Sequence, residues 1–228
     1  DDLHTIDIKK GDLKKGFAAA DEIVEGEYFT GPQEQAYLEP QGVIAQPEAD
    51  GADGIRIVGS LQCPFFVRPA VACVLGVDDE KVVVEQAPTG GAFGGKLDVK
   101  AALMAAMLSR AAQRPVRFML SLEEDLISMR PRMPVHISLE SAWKTNGALA
   151  GKRVKIVAEN GAYCSLSPAI MSSIALRTDN LYKTPAAEIE GKLVYTNIIP
   201  SGQMRGFGNV QATYAWESHL DNVADGLG

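Results

Sequence analysis

The stretch "PTGGAFGGKLD", residues 88–98, limits the fold more than any other part of the chain. Four glycines flank one phenylalanine between a β-branched run, "EKVVVEQ", and an alanine-rich run ending near Gln113. Glycine enters left-handed backbone without steric cost, so the loop reads as a sharp turn from strand to helix. Gly90, Gly95 and Lys96 also satisfy the opening of the phosphate-binding pattern G-x-x-x-x-G-K-[ST]. Leu97, however, stands where that pattern needs a hydroxyl for Mg²⁺, and Phe93 is bulky in a loop that would have to close on a polyphosphate. From the residues alone three uses stay open. The loop is a nucleotide site, a structural turn, or a backbone that approaches a flat cofactor with Phe93 as an apolar wall.

With 228 residues, 46% of them hydrophobic, the chain can build the core of one large domain or two small ones. A net charge of -7 argues against nucleic acid and against an acidic membrane surface as partners. A local basic cluster such as Arg130–Arg132 stays open beside that balance, though an ordinary solvated patch explains it as well. Cys63, Cys73 and Cys164 are scattered and odd in number, which fits neither a metal pair nor a disulfide framework and points to the reducing cytoplasm. No apolar run is long enough for a membrane span, and the polar start "DDLHTIDIKKGDLKKG" is unlike a secretory signal. A first residue Asp1 suggests a processed chain or a piece of a longer one.

Residues 1–20 read as a charged arm, and 21–228 as the body. Strands are expected at "IVEGEYFT" and in a hairpin of "AYLEPQGVIAQPE" with "GIRIVGSLQ", turning at "PEADGADG". "PFFVRPAVACVLG" suits a helix stopped by Gly76. After the glycine loop, Asp98 is the candidate N-cap of a helix with Val99, Leu103 and Met107 on its core face. "PVRFMLS" returns as a strand, and Ser121 opens a capping box. Asn146-Gly147 marks a hairpin between "VHISLESAWK" and "LAGKRVKIVAENGAY". A helix over 166–176, a strand at "EIEGKLVYTN" and a last helix from Val210 complete an α+β fold of mixed sheets, hairpins and packed helices, with two subdomains meeting near residue 130. The dispersed His4, His136 and His219 read as structural, and Trp143, Trp216, Met104 and Met107 as packing residues.

"GGAFGGK" at 90–96, "YLEPQ" at 37–41 and "MRGFGNVQ" at 204–211 together resemble the xanthine dehydrogenase family of molybdenum hydroxylases. The likeness runs from about residue 20 to the end and matches the first half of the family's molybdopterin-binding portion. It implies a molybdopterin with Mo, in a dinucleotide form, and hydroxylation of an N-heterocycle, aldehyde or aromatic acyl thioester with oxygen from water. No protein side chain would ligate the metal directly. Gln33 would hydrogen-bond an oxygen ligand of molybdenum, with Gln35 as the alternative in another register. Gly91, Ala92, Phe93 and Gly94 would lie against the cofactor, Ala92 replacing a common glycine. Arg205 would stabilise negative charge on the substrate, Gly206, Phe207 and Gly208 would turn the chain around it, and Gln211 would support them. Leu97 would face the substrate pocket where xanthine-oxidising members carry a polar or acidic group, which weakens xanthine as substrate. Glu39 reads as structural, because the family's catalytic glutamate belongs to the second half of that portion. The cysteine-bearing loop of carbon monoxide dehydrogenases is not apparent, so that gas is set aside.

The resemblance also implies partners. Three scattered cysteines cannot ligate a cluster, so [2Fe-2S] centres and FAD would sit on other subunits or segments, as would the second half of the molybdopterin-binding portion. A half-open cofactor cleft would expose apolar surface, which predicts a dimer or a partner subunit. A nucleotide-binding protein and a cofactor-free scaffold fragment are the competing readings.

Overall fold

The computed structural model describes residues 1–48, 53–179 and 181–227 of the 228-residue chain. It begins with β1 (Asp2–Lys10), α1 (Leu13–Ala18), β2 (Glu22–Thr30), β3 (Gly42–Pro47) and β4 (Ile55–Gly59). Next come α2 (Pro64–Leu75), β5 (Val82–Gln86), α3 (Lys100–Ala112), β6 (Val116–Met119) and α4 (Leu122–Ser128). The last third holds β7 (Val135–Trp143), β8 (Leu149–Gly161), α5 (Ser167–Arg177), β9 (Ala187–Tyr195) and α6 (Asn209–Leu227). The fold is α+β, with two mixed sheets and packed helices. Among the described residues no helix is long and apolar enough to cross a membrane.

The chain forms two compact units, Asp1–Gln33 with Pro131–Gly228 and Glu34–Arg130. A single cut near residue 130 does not describe this arrangement, because the chain crosses between units twice. In the discontinuous unit the strand order is β1-β9-β8-β7-β2. The segment expected to be a charged arm is therefore an edge strand: β1 pairs antiparallel with β9 from Thr5↔Lys192 to Lys10↔Ala187, and α1 follows. Ile6 and Ile8 pack against the core while charges occupy the other face, a composition that protects an exposed sheet edge from further pairing.

β7 and β8 form the expected hairpin, with Gly147 at φ +79 and Asn146 Oδ1 accepting from Ala148 N at 3.1 Å. β8 and β9 are parallel, so α5 makes the crossover that antiparallel hairpins do not need. Ile137, Ile156 and Ile189, one from each central strand, are buried against Ile170 and Ile174 of α5 and Trp216 of α6. Each such side chain contributes roughly 2 kcal/mol through removal from water. His219 sits in this core, its Nδ1 3.0 Å from Tyr28 OH and its Nε2 2.6 Å from Ser141 Oγ, which also accepts from Trp143 Nε1 at 2.7 Å. Burial, reinforced by the nearby Lys152 charge, lowers the His219 pKa to about 4.

The second unit is a four-stranded sheet, β5-β4-β3-β6, carrying α2 and α3. The expected β3–β4 hairpin pairs Val43 with Gly59 through Pro47 with Ile55; part of its turn, residues 49–52, lies outside the described residues. α2 ends at Gly76, left-handed at φ +67, and carries the chain to β5, which pairs parallel with β4. α4 opens with both bonds of the capping box at Ser121 and Glu124. α3 departs from expectation in part: Val99 and Leu103 pack against the core as expected, but Met107 does not, and the N-cap is Val99 instead of Asp98. It buries Ala101, Ala102, Ala105 and Ala106, whereas Met104 and Met107 are 46% and 49% exposed. Small side chains let the helix lie close to the sheet, so size outranked hydrophobicity in choosing the inner face. Asp98 accepts from Lys100 N at 2.9 Å through Oδ1 and pairs with Arg130 Nε at 3.0 Å through Oδ2.

Candidate functional site

Each unit brings together one set of the predicted residues. In the second unit, "YLEPQ" and "GGAFGGK" are a single interlocked construction. Glu39 Oε2 accepts from Gly90 N, Ser60 Oγ and Lys96 Nζ, all at 2.7 Å. Gln41 Nε2 donates to Gly95 O at 3.0 Å, and Asp125 accepts from Tyr37 OH and Gln41 N at 2.8 Å each. These donors hold the Glu39 carboxyl at a pKa of about 2, the Lys96 hydrogen bond being the largest cause. Burial, with the Asp125 hydrogen bond, raises the Tyr37 phenol well above its usual range. Glu39 is thus the anchor of the glycine loop.

The same contacts overturn the nucleotide reading. The Lys96 side chain is fully buried, with Nζ bonded to Glu39 and Ser60 and 4.8 Å from the centre of the Tyr37 ring. An ammonium so committed cannot reach the phosphates that the motif's lysine must hold.

The loop's inner side requires glycine. A Cβ on Gly95 would stand 2.5 Å from Tyr37 Cε1, and one on Gly90 would stand 2.7 Å from Glu39 Cβ. Its outer side presents Phe93, 42% exposed and held at φ +48 between Gly91 at φ +93 and Gly94 at φ +108. Ala92 keeps negative φ, which is why a side chain is tolerated there. The amides of Gly91 and Ala92 donate to no described residue, while Gly94 N donates to Gln62 Oε1 at 3.0 Å. Leu97 is half-buried at the end of the 3₁₀ turn Gly95–Leu97. Gln35, the alternative to Gln33, is buried, and its Nε2 donates to Arg130 O at 2.9 Å. That places it in the scaffold.

In the discontinuous unit, Gln33 and Arg205 meet through Arg132, a member of the basic cluster. Arg132 is 6% exposed. Its backbone N donates to Gln33 O at 2.8 Å and its Nε to Gln33 Oε1 at 3.3 Å. Nη1 reaches Gln211 Oε1 at 3.3 Å, and Nη2 reaches Arg205 O at 3.0 Å. Gln211 Nε2 continues to Met133 O at 3.3 Å, which supports the expected structural role of that glutamine. The cluster Arg130–Arg132 is therefore no ordinary surface patch. Its residues serve both units, Arg130 through Asp98 and Arg132 through Gln33. Only the fold reveals this, since the partners of Arg132 lie 99, 79 and 73 residues away.

The side chains of Gln33 and Arg205 are exposed. Beyond Arg205, three consecutive residues are left-handed: Gly206 at φ +94, Phe207 at φ +48 and Gly208 at φ +98. Two loops, one in each unit, thus force a phenylalanine to φ +48 beside glycine. Left-handed backbone on a bulky residue costs roughly 1–2 kcal/mol and persists where surrounding structure imposes it, most often at functional sites. A cleft of about 400 Å³ on the polar sheet face, lined by Glu25, Glu27, Glu140, Arg153 and Lys155 among others, includes none of these residues.

The sequence profile of the molybdopterin cofactor-binding domain matches residues 1–228. The chain is 34% identical to a probable xanthine dehydrogenase component of Bacillus subtilis (strain 168), over 99% of its own length and 30% of that protein's. It is 31% identical to the nicotinate dehydrogenase large molybdopterin subunit of Eubacterium barkeri, over 97% of this chain and 52% of that one. Among solved structures, quinoline 2-oxidoreductase from Pseudomonas putida 86 superposes with a TM-score of 0.91 at 26% identity, covering 100% of this chain and 29% of that one. The aldehyde oxidoreductase of Desulfovibrio gigas also gives 0.91, at 25% identity, over 100% of this chain and 25% of that one. The chain therefore spans between a quarter and about half of these relatives.

Proposed function

Because the chain belongs to the molybdopterin cofactor-binding domain family, we propose that it is the first part of the molybdenum-binding portion of a hydroxylase. The substrate class is an N-heterocycle, an aldehyde or an aromatic acyl thioester, oxidised with oxygen from water. The names of the relatives, which cover xanthine, nicotinate, quinoline and aldehyde, support the first two of these. The observation that carries the reading is the pair of strained glycine–phenylalanine loops, matching two of the three motifs that carry the resemblance.

The residues present fit such a cofactor in each unit taken by itself. In one, the amides of Gly91 and Ala92 supply donors for a ligand acceptor, and Phe93 supplies an apolar wall that keeps water away. In the other, a buried guanidinium with neutral partners favours an anionic neighbour. The bound cofactor supplies two-electron redox chemistry; the protein supplies orientation and electrostatics.

Gln33, with Oε1 held by Arg132, presents its Nε2–H₂ as a donor that adds no charge. Arg205, a permanent cation, offers charge to an anion developing on the substrate, where its stabilisation is greatest in the transition state. Leu97 gives the substrate an apolar neighbour, which favours a ring or aldehyde with few polar edges over a purine. [2Fe-2S] and flavin centres on further subunits or segments of a cytoplasmic complex would accept the electrons. The test is elemental analysis of the native complex isolated through this chain. Near-stoichiometric molybdenum is expected. A stable, intact complex without it would refute the proposal and leave the scaffold reading.

A further inference from the structure

We propose that Arg132 is the positioning residue that sets both the direction and the electrostatic strength of the Gln33 amide toward the molybdenum centre. This rests on the reading of the chain as a molybdenum-binding portion. Gln33 by itself is an exposed side chain with three rotatable bonds, free to present either end of its amide. A donor that must act at one point gains from being held beforehand, because misdirection by even an ångström weakens the interaction. Arg132 removes that freedom twice. Its backbone N–H fixes the Gln33 carbonyl at 2.8 Å, and its Nε–H takes Gln33 Oε1 at 3.3 Å, so the N–H₂ end faces away from the arginine.

The charge of Arg132 points the same way. No carboxylate of the described residues forms an ion pair with it, although it is 6% exposed. Its three side-chain bonds, to Gln33, Gln211 and the Arg205 carbonyl, all go to neutral oxygens. A guanidinium carries five N–H donors, so two remain beyond these bonds. A buried cation whose hydrogen bonds go only to neutral oxygens keeps an outward positive field, which polarises the amide that it holds and favours added electron density nearby. Lysine could preserve the charge here but not the planar fork that reaches Gln33, Gln211 and Arg205 together. Direction and field are therefore separable by substitution.

The experiment is Arg132→Lys and Arg132→Met in the whole holoenzyme, with every rate normalised to bound molybdenum. Both variants are expected to lose about 10–100-fold in kcat, the usual effect of removing a group that orients a metal-site residue, with KM little changed. Arg132→Met should also lower the molybdenum midpoint potential and alter the Mo(V) electron paramagnetic resonance spectrum, because a positive charge is gone. Arg132→Lys should keep the potential near wild type while kcat stays low. If both variants match wild type in kcat per molybdenum and in potential, even with reduced stability, Arg132 is structural only and the inference falls. Should Arg132→Met fail to fold, a wild-type kcat and spectrum for Arg132→Lys overturns it alone. Wild-type enzyme without molybdenum would remove the cofactor reading and this inference together.

Discussion

Lys96 and Glu39 form an ion pair whose two halves are unequally sheltered, and that asymmetry predicts unequal consequences of breaking it. The Lys96 side chain is 0% exposed and the Glu39 side chain 42%, with 2.7 Å between Nζ and Oε2. Glu39→Gln leaves the sealed ammonium without its counter-charge, and stranding a buried ion costs about 3–5 kcal/mol. Lys96→Met retains the buried stem and leaves a carboxylate that water reaches and that Gly90 N and Ser60 Oγ still serve, so about 2 kcal/mol is expected. At about 2–4 °C per kcal/mol for a chain of this size, Glu39→Gln should lower Tm by roughly 10 °C and Lys96→Met by roughly 5 °C. The double variant, an uncharged pair of similar volume, should be more stable than Glu39→Gln alone. Acid titration adds a sign. The Glu39 pKa falls from 4.5 to about 2 on folding, so its stabilisation is complete above pH 4.5 and is lost as pH falls toward 2. That part of the acid limb should be missing in Glu39→Gln. Thermal unfolding of the four proteins decides the matter; a larger loss for Lys96→Met than for Glu39→Gln, or a double variant equal to the sum of the singles, would refute the reasoning.

Three further outcomes are expected. Gln33→Ala leaves the Nε–H of the buried Arg132 without its acceptor, a loss of about 1–3 kcal/mol that should lower Tm by roughly 5 °C, while kcat per molybdenum falls at least 10-fold; a wild-type kcat would count against its proposed role. Phe93→Asn should keep stability within about 1 kcal/mol, because asparagine tolerates φ +48 better and the ring is 42% exposed, yet turnover should drop as the apolar wall is lost. His219 has a folded pKa of about 4 against 6.5 unfolded, so the unfolded chain binds a proton that the fold refuses, and stability is lost as pH falls from 6.5 toward 4 by about 3 kcal/mol in full. Comparing denaturant midpoints at pH 7 and pH 4.5 for wild type and His219→Gln checks this: the drop should shrink in the variant.

Most elements were legible in the sequence where a local rule dictates structure. The hairpin at Asn146-Gly147, the stop at Gly76 and the capping box at Ser121 each depend on residues within a few positions of one another. What was not legible depends on distant partners. "HTIDIKK" reads as a polar arm until β9 arrives beside it to shelter Ile6 and Ile8. The face of α3 could not be ranked from hydrophobicity because closeness to the sheet selected alanine over methionine. Gln33 and Arg205 rest on motif resemblance alone, Phe93 is legible from its glycine flanks as well, and the motif gives no sign of Arg132. An arginine among basic neighbours looks the same whether solvent or a glutamine 99 residues away receives its hydrogen bond.

The strand order β1-β9-β8-β7-β2 also fixes a timetable. As the chain leaves a ribosome, Glu34–Arg130 has all four of its strands by Met119 and can collapse early. The sheet around it in sequence cannot finish: β1 waits for β9, which is made some 180 residues later, and until then β1 and one side of β8 remain unpaired. Such long-range pairing is slow, and open strand edges during that interval invite aggregation. Chains truncated before Ala187 should therefore be recovered with a soluble, protease-resistant core near Glu34–Arg130 and a sticky remainder, and chaperone demand should peak before the ninth strand emerges.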